Sequence, residues 1–360
     1  MFRSIEADHR SWLGSTSAEL GYTGLEDQTS LHTHTHTDGS THDVLVIDGR
    51  KNGEGPTILK STSLDYRINP FFVRQETINA HQLGARIGVA EIPGISGMPL
   101  GPKGELDLSI DIDKKMSTVW QSKDEQRQVR YGAFDLLATK QLNALIDTLK
   151  LSEYEHVELG GHSLGAMLAA TMGRVAARQL VSIPVIIDRI HLEDPSNLYG
   201  LSTLEMVQIS NNGRVETRRR NEIYLKENEY IGHGDITAFE RQSEETARIS
   251  KYIKGQQKST VLRSLHATRR GIHPILMDFI DQGLRNGTAT SETAITITHY
   301  EQSLACKLSD ALSLHDTIES SGMRSEVFEY TSAQDDPTDL GHQTNASLGR
   351  AASIALYTPR

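Results

Sequence analysis

The sequence is poor in cysteine and in long apolar runs. Its 360 residues contain one cysteine, Cys306, which excludes an internal disulfide framework and favours a reducing compartment. No apolar run approaches the roughly 20 residues that a membrane-spanning helix needs. Residues 1–10 also lack the apolar core of a secretory signal peptide. We therefore expect a soluble, cytoplasmic protein that has no membrane partner.

Positive charge is also in short supply. The chain has 37 Lys and Arg against 47 Asp and Glu, which gives a formal net charge of −10 at pH 7. Such a chain is repelled by phosphate backbones, so we expect no nucleic-acid partner. A hydrophobic content of 37% is that of an ordinary globular protein. The length suits one large domain with an insertion, or two smaller domains.

Apolar runs typical of strands alternate with helical patterns along much of the chain. Strands are predicted at 56–60, 86–91, 157–159, 185–192, 294–298 and 326–330, and helices at 71–83, 124–150, 165–180 and 308–320. This alternation predicts βαβ units, and hence an α/β fold with a mostly parallel central sheet flanked by helices.

The pattern also suggests domain boundaries. Residues 1–28 show no clear period and are expected to form an irregular or partly helical N-terminal extension. The α/β core is expected to comprise residues 29–195 and 292–360. Between them, residues 196–291 are charged and have helical runs but no clear central strand, which indicates a helical cap or lid insertion.

A histidine-rich hairpin is predicted near the start of the core. Its first strand alternates threonine with three histidines, at positions 32, 34 and 36. The Asp38–Gly39 turn and the β-branched run at 42–47 complete the hairpin pattern. This places His32, His34 and His36 on one strand face, with His42 near them across the turn. A solvated edge hairpin is the favoured interpretation, and a transition-metal site is the alternative.

One short motif points to chemistry. Gly161-His162-Ser163-Leu164-Gly165 matches the pattern G-x-S-x-G, and it lies between a predicted strand and a predicted helix. A serine on such a sharp turn has its hydroxyl clear of the backbone, and the helix N-terminus directs N–H groups at whatever it attacks. Glycine is needed on both sides because a side chain there would clash. The motif predicts that Ser163 is a nucleophile.

In this arrangement the chain resembles the α/β-hydrolase fold family. The resemblance covers about residues 30 to 357 and includes the Pro93–Gly94 turn and the Gly341–His342 pair. It implies the α/β-hydrolase fold, a cap over 196–291, and catalysis without a metal or an organic cofactor.

The resemblance also implies a catalytic triad, whose members follow the order serine, acid, histidine along the chain. His342, after the last predicted strand, is the expected base. The family most often carries its acid after the strand at 294–298, where this chain has Ser303. Some members carry the acid one strand earlier, which makes Asp194 the first choice and Glu301 the second.

An oxyanion hole needs backbone N–H donors directed at the developing charge. The N–H of Leu164, directly after the nucleophile, is one expected donor. The other is expected from Ser63 or Leu64, in the loop after the strand at 56–60.

These features predict a serine hydrolase that forms an acyl-enzyme with a small-molecule substrate, most simply a carboxylic ester. Amide, thioester or C–C bond hydrolysis and acyl transfer to an alcohol are alternatives on the same scaffold. A non-catalytic hydrolase-like protein that binds a ligand is another alternative. A metal-dependent activity at His32, His34 and His36 is a further one.

Overall fold

The computed structural model describes the chain in several stretches. These are residues 2–7, 29–50, 53–62, 76–92 without 78 and 82, 134–202, 204–205, 208, 268–301, 303 and 305–332. Most of the predicted cap, the Pro93–Gly94 turn, Ser63, Leu64 and His342 lie outside these stretches.

A nine-stranded sheet forms the centre of the described part of the chain, in the order β1-β9-β8-β7-β6-β4-β5-β3-β2. All neighbouring strands are parallel except at β3, which is antiparallel to both β2 and β5. The strands are β1 (Phe2–Ala7), β2 (Thr29–Thr35), β3 (Thr41–Asp48), β4 (Thr57–Ser61), β5 (Arg86–Ala90), β6 (Glu155–His162), β7 (Val185–Glu193), β8 (Ala294–Tyr300) and β9 (Arg324–Ser332). The mostly parallel sheet predicted from the sequence is confirmed, as is the hairpin of β2 and β3.

Four helices have defined bounds: α1 (Asp135–Leu149), α2 (Leu164–Ala177), α3 (His273–Asn286) and α4 (Leu308–Ser320). Helix α2 packs against β6 and β7 and is flanked by α1 and α3. Alternate strand residues such as Leu59, Leu159 and Ile190 join the buried faces of these helices in one apolar core. Thus α3, which lies in the range expected to form the cap, packs on the helix that follows Ser163.

The opposite face of the sheet carries a smaller apolar cluster. Ile58 and Ile87 face Ala80, which belongs to the helical residues at 76–83, and Tyr300 and Tyr330 lie in the same cluster. Residues two positions apart in a strand point to the same side of the sheet. Lys60 therefore lies on this face, since it is two residues beyond Ile58 on β4.

Residues 2–7 differ from the sequence expectation. They form β1, which pairs in parallel with β9 from Phe2 beside Val327 to Ala7 beside Ser332. The expectation of an irregular or helical segment was wrong for these residues. A six-residue strand has too few positions to reveal its period when its only neighbour is distant in sequence, so tertiary pairing decides its conformation.

An ion cluster is buried on this second face of the sheet. The Lys60 Nζ lies 2.8 Å from Glu76 Oε1 and 3.9 Å from Glu193 Oε1, and all three side chains are at most 7% exposed. Burial acts to lower the pKa of Lys60, but the attraction of Glu76 and Glu193 outweighs it and leaves that pKa raised. Lys60 lies beside Gly160 on β6. The lack of a side chain there allows the ammonium group to cross β6 toward Glu193 on β7.

Replacing Lys60 with methionine tests how much the fold depends on this cluster. The substitution leaves two buried carboxylates without their cation, so we expect the free energy of unfolding to fall by about 3–5 kcal/mol at pH 7, measured by urea denaturation. Lys140→Met is the matched control. Its partner Asp38 is 43% exposed and stays solvated, so a loss of about 1 kcal/mol is expected there. Equal losses in both variants would contradict a special role for the Lys60 cluster.

Candidate active site

Ser163 occupies a strained turn between β6 and α2. Its backbone has φ 56° and ψ −117°, a region that residues other than glycine rarely adopt. Strand β6 ends at His162 and helix α2 begins at Leu164, so the chain changes from strand to helix at one residue. The Ser163 N–H donates to the Glu193 carbonyl oxygen at 3.0 Å, which anchors the turn to the neighbouring strand.

The two glycines of the motif are required by sterics. A Cβ atom on Gly161 would lie 2.3 Å from the carbonyl oxygen of Gly165. A Cβ atom on Gly165 would lie 2.6 Å from the carbonyl oxygen of Ser61 and 2.9 Å from that of Thr62. These are backbone atoms of packed elements, which cannot move aside as the end of a side chain can. The G-x-S-x-G spacing thus reflects the close packing of β4, β6 and α2.

The start of α2 provides the electrostatic setting of the site. Leu164 is its first residue and is buried, so its N–H lies at the positive end of the helix. Strand β4 ends at Ser61, against Gly165. The backbone of Thr62, the residue after β4, therefore lies beside the turn at Gly161–Gly165, which we call the elbow. Ser63 and Leu64, the predicted donors of the following loop, lie outside the described stretches.

Asp194 directly follows β7, the strand beside the one that leads to Ser163. His162 pairs with Glu193 in the ladder, so Ser163 and Asp194 are the next residues on adjacent strands. Asp194 is fully buried and has a φ of 38°. Its N–H donates to the Thr298 carbonyl oxygen at 2.9 Å, and its Oδ2 accepts a hydrogen bond of 2.8 Å from the Ser303 hydroxyl.

Glu301, the second candidate for the acid, lies in a different environment. It sits in an exposed turn after β8, and its N–H donates to the Tyr330 carbonyl oxygen at 2.9 Å. The two candidates thus differ in environment, since Asp194 is buried next to Ser163 in the sheet and Glu301 is exposed. His342, the expected base, is outside the described part of the chain.

The cluster of Lys60, Glu76 and Glu193 was not predicted from the sequence. One signal was available, because Lys60 directly follows the apolar pair Ile58–Leu59 in the strand predicted at 56–60, and buried lysines are rare unless paired. Its partners were not readable, since Glu76 lies in a different element and Glu193 ends a strand two positions away in the sheet.

The hairpin histidines form a hydrogen-bonded pair. His36 Nε2 and His42 Nδ1 are 2.8 Å apart, so one nitrogen donates and the other accepts. Burial, the neighbouring histidines and Lys140 lower the pKa of His36 to about 4 and that of His42 to about 3. Both rings are therefore neutral at pH 7. His34 Nε2 lies 3.8 Å from Asp147 Oδ2.

These imidazoles do not converge on a point where an ion would bind. Among the described residues, the group whose possible ligand atoms all lie within 4.8 Å of one another is Asp194, His299 and Cys306. His299 Nδ1 contacts the Cys306 carbonyl oxygen at 2.7 Å and must carry the proton, because a carbonyl only accepts. Burial and the charges of Asp194 and Asp310 raise the pKa of the Cys306 thiol well above its ordinary value.

The chain has the α/β-hydrolase fold, as defined by the mostly parallel sheet, the helices that cover it and the strained Ser163 turn between β6 and α2. No protein-family model and no curated protein matches the sequence. No helix in the described stretches is long and apolar enough to cross a membrane.

Several solved structures resemble the fold at low sequence identity. A thioesterase domain from the curacin biosynthetic pathway is 13% identical, with a TM-score of 0.46 over 91% of this chain and 99% of its own. A membrane phospholipase A described as a bacterial virulence factor is 11% identical, with a TM-score of 0.48 over 95% and 90%. An enol-lactonase from Burkholderia xenovorans is 16% identical, with a TM-score of 0.44 over 90% and 98%.

Gly165→Ala tests the steric origin of the elbow. Because the added Cβ meets two backbone carbonyls, we expect the free energy of unfolding to fall by about 3 kcal/mol or more in urea denaturation. Gly173→Ala, in the same helix, is the control. Its Cβ would meet side-chain atoms, the nearest being Ile190 Cδ1 at 2.8 Å, and the helical gain of about 1 kcal/mol from alanine offsets the crowding. A Gly165→Ala protein as stable as the control would refute the packing argument.

The hairpin pair makes stability depend on pH. The pKa values of His36 and His42 in the folded protein, about 4 and about 3, lie below the ordinary value of 6.5. Their contribution is therefore present above pH 6.5 and is lost as the pH falls toward 4, where only the unfolded chain binds these protons. We expect His36→Gln to make the decline in unfolding free energy between pH 6.5 and 4 shallower. Thr35→Val, a non-titrating change at an exposed position on the other face of β2, should leave the slope as in the wild type.

Proposed function

We propose that the protein is a serine hydrolase that forms an acyl-enzyme on Ser163, with His342 as the base and Asp194 as the acid that orients it. The observation that carries the proposal is the backbone of Ser163, held at φ 56° and ψ −117° between β6 and α2. Strain of this kind persists only where the surrounding structure enforces it, and it concentrates at functional sites. Here the close contact of Gly165 in α2 with the end of β4 holds the Ser163 backbone in this conformation.

The proposed catalytic groups all belong to the chain. His342 accepts the proton of the Ser163 hydroxyl as its oxygen attacks the substrate carbonyl carbon. The N–H of Leu164, with a second N–H from Ser63 or Leu64, stabilises the oxyanion that forms. Collapse expels the leaving group, which takes the proton from His342. A water molecule, activated by the same histidine, then attacks the acyl-enzyme. This step releases the carboxylic acid product, and His342 returns the proton to Ser163.

Asp194 completes this scheme because of where it lies. The burial of Asp194, at the end of the strand beside the one that leads to Ser163, supports this role. As the acid it would accept from the imidazole of the base, fix the tautomer of the ring and stabilise the imidazolium ion. Burial in a low-dielectric environment strengthens that interaction.

Within this class we propose a small carboxylic ester as the substrate and a cytoplasmic location for the enzyme. Thioesters, amides and acyl transfer to an alcohol use the same acyl-enzyme, so a direct comparison is required. A panel of p-nitrophenyl esters, acyl thioesters and anilides with matched acyl chains would rank them by kcat/KM. Faster turnover of the thioesters or anilides than of the esters would replace the ester assignment.

Labelling with a fluorophosphonate probe tests the nucleophile and its partners. We expect the wild type to be labelled and Ser163→Ala to remain unlabelled. His342→Ala and Asp194→Asn should be labelled on the order of 10²–10⁴-fold more slowly, because the serine loses its general base or the base loses its orientation. Glu301→Gln is the matched control for Asp194→Asn and should react within about twofold of the wild type.

Two results would redirect the assignment. If Glu301→Gln rather than Asp194→Asn slowed labelling, Glu301 would be the acid. If a well-folded wild type were not labelled at all, the hydrolase proposal would fail in favour of a hydrolase-like protein that binds a ligand without transforming it.

A further inference from the structure

We infer that Ser303 is a positioning residue for Asp194, and that its hydroxyl holds the Asp194 carboxylate in a fixed orientation. The inference rests on the proposed function, since it assigns to Ser303 a role through the proposed acid. Ser303 contacts neither substrate nor base in this scheme.

The hydrogen-bond geometry leaves the Ser303 hydroxyl one direction for its proton. Its Oγ accepts the backbone N–H of Ala305 at 3.3 Å and that of Cys306 at 3.2 Å. A hydroxyl has two lone pairs and one proton. With both lone pairs occupied, the proton is directed to the remaining neighbour, Asp194 Oδ2 at 2.8 Å.

The loop that carries this hydroxyl is anchored to β8 at both ends. The Ser303 N–H donates to the Tyr300 carbonyl oxygen at 2.8 Å. His299 Nδ1 donates to the Cys306 carbonyl oxygen at 2.7 Å. Ser303, Cys306 and His299 are all at most 8% exposed. The backbone of β8 and its loop therefore determines the position of the Ser303 hydroxyl, which does not depend on a mobile side chain.

A fixed donor orients a buried carboxylate. It fixes the rotation of the carboxyl group about its Cβ–Cγ bond, and so the direction from which the imidazole of a base can be bound. The loop at which the family resemblance places an acid thus supplies a hydroxyl to the acid of the neighbouring strand.

Several titratable groups of the described residues lie around Asp194. Glu193 precedes it in the chain, His299 on β8 and Cys306 in the following loop have possible ligand atoms within 4.8 Å of its carboxylate, and Asp310 at the start of α4 acts on Cys306. The Nδ1–H of His299 is directed to the Cys306 carbonyl oxygen and not to Asp194. Removal of the Ser303 hydroxyl should therefore remove a hydrogen bond that His299 does not replace.

The experiment compares Ser303→Ala and Ser303→Thr with the wild type, after labelling of Ser163 by the fluorophosphonate probe has been established. A hydrogen bond to a charged group corresponds to about a 10- to 100-fold effect, and we expect Ser303→Ala to slow labelling by that factor. The acidic limb of its pH–rate profile should also move to lower pH, because a carboxylate that is no longer held in place stabilises the imidazolium form of the base less well. Ser303→Thr keeps the hydroxyl and should react within about threefold of the wild type. Ser309→Ala, an exposed serine in the next helix, controls for the substitution itself.

A double-mutant cycle separates positioning from a general structural role. In the Asp194→Asn background, Ser303→Ala should cause no further loss of labelling rate, because the hydroxyl acts through Asp194. Additive losses, or a slower Ser303→Ala with an unshifted pH profile, would overturn the inference. If Ser303→Ala matches the wild type while Asp194→Asn is impaired, the inference alone fails. An unlabelled, folded wild type would overturn the proposed function and the inference with it.

Discussion

The constraint on which the site depends is the close approach of α2 to the end of β4. A Cβ atom at Gly165 would be 2.6 Å from the Ser61 carbonyl oxygen, so the helix can lie this close only because glycine is present. That approach leaves a single residue, Ser163, to turn the chain from strand to helix. The unfavourable backbone of Ser163 is then maintained by the packing of α2 on the sheet, which buries nearly all of that helix.

The same strands are connected on the opposite face of the sheet. There the Lys60 ammonium, from β4, lies between Glu76 and Glu193, and Glu193 immediately precedes Asp194. Strands β4, β6 and β7, whose ends lead to the proposed oxyanion loop, nucleophile and acid, are joined by packing on one face. On the other face, charge joins β4 to β7 across β6, so a displacement of β4 or β7 would separate buried charges, which is costly.

Periodicity was sufficient to predict most of the fold. The strands β4 to β9 and helices α2 and α4 lie close to their predicted ranges, because each buries a regular apolar face. The elbow was predictable for a different reason. Its two glycines are required by local sterics, so a five-residue motif is enough to indicate the turn.

The remaining features depend on contacts between distant parts of the chain. No local pattern links Ser303 to Asp194, which are 109 residues apart in sequence. Lys60 was noticeable in the sequence as a charged residue within a predicted strand, but its partners could not be identified. The conformation of β1 depends wholly on β9. Periodicity reports the environment of one element at a time, and it cannot identify which polar side chains meet when the elements assemble.

The pairing of β1 with β9 has a consequence for how the protein forms during synthesis. Phe2 lies beside Val327, so this edge of the sheet cannot close until almost all of the described chain has left the ribosome. At typical elongation rates that delay is on the order of 15–60 s. Through that interval the nascent protein exposes unpaired backbone groups at its first segment and later at β8. The strand that precedes the others of the described sheet in sequence is therefore among the last to pair.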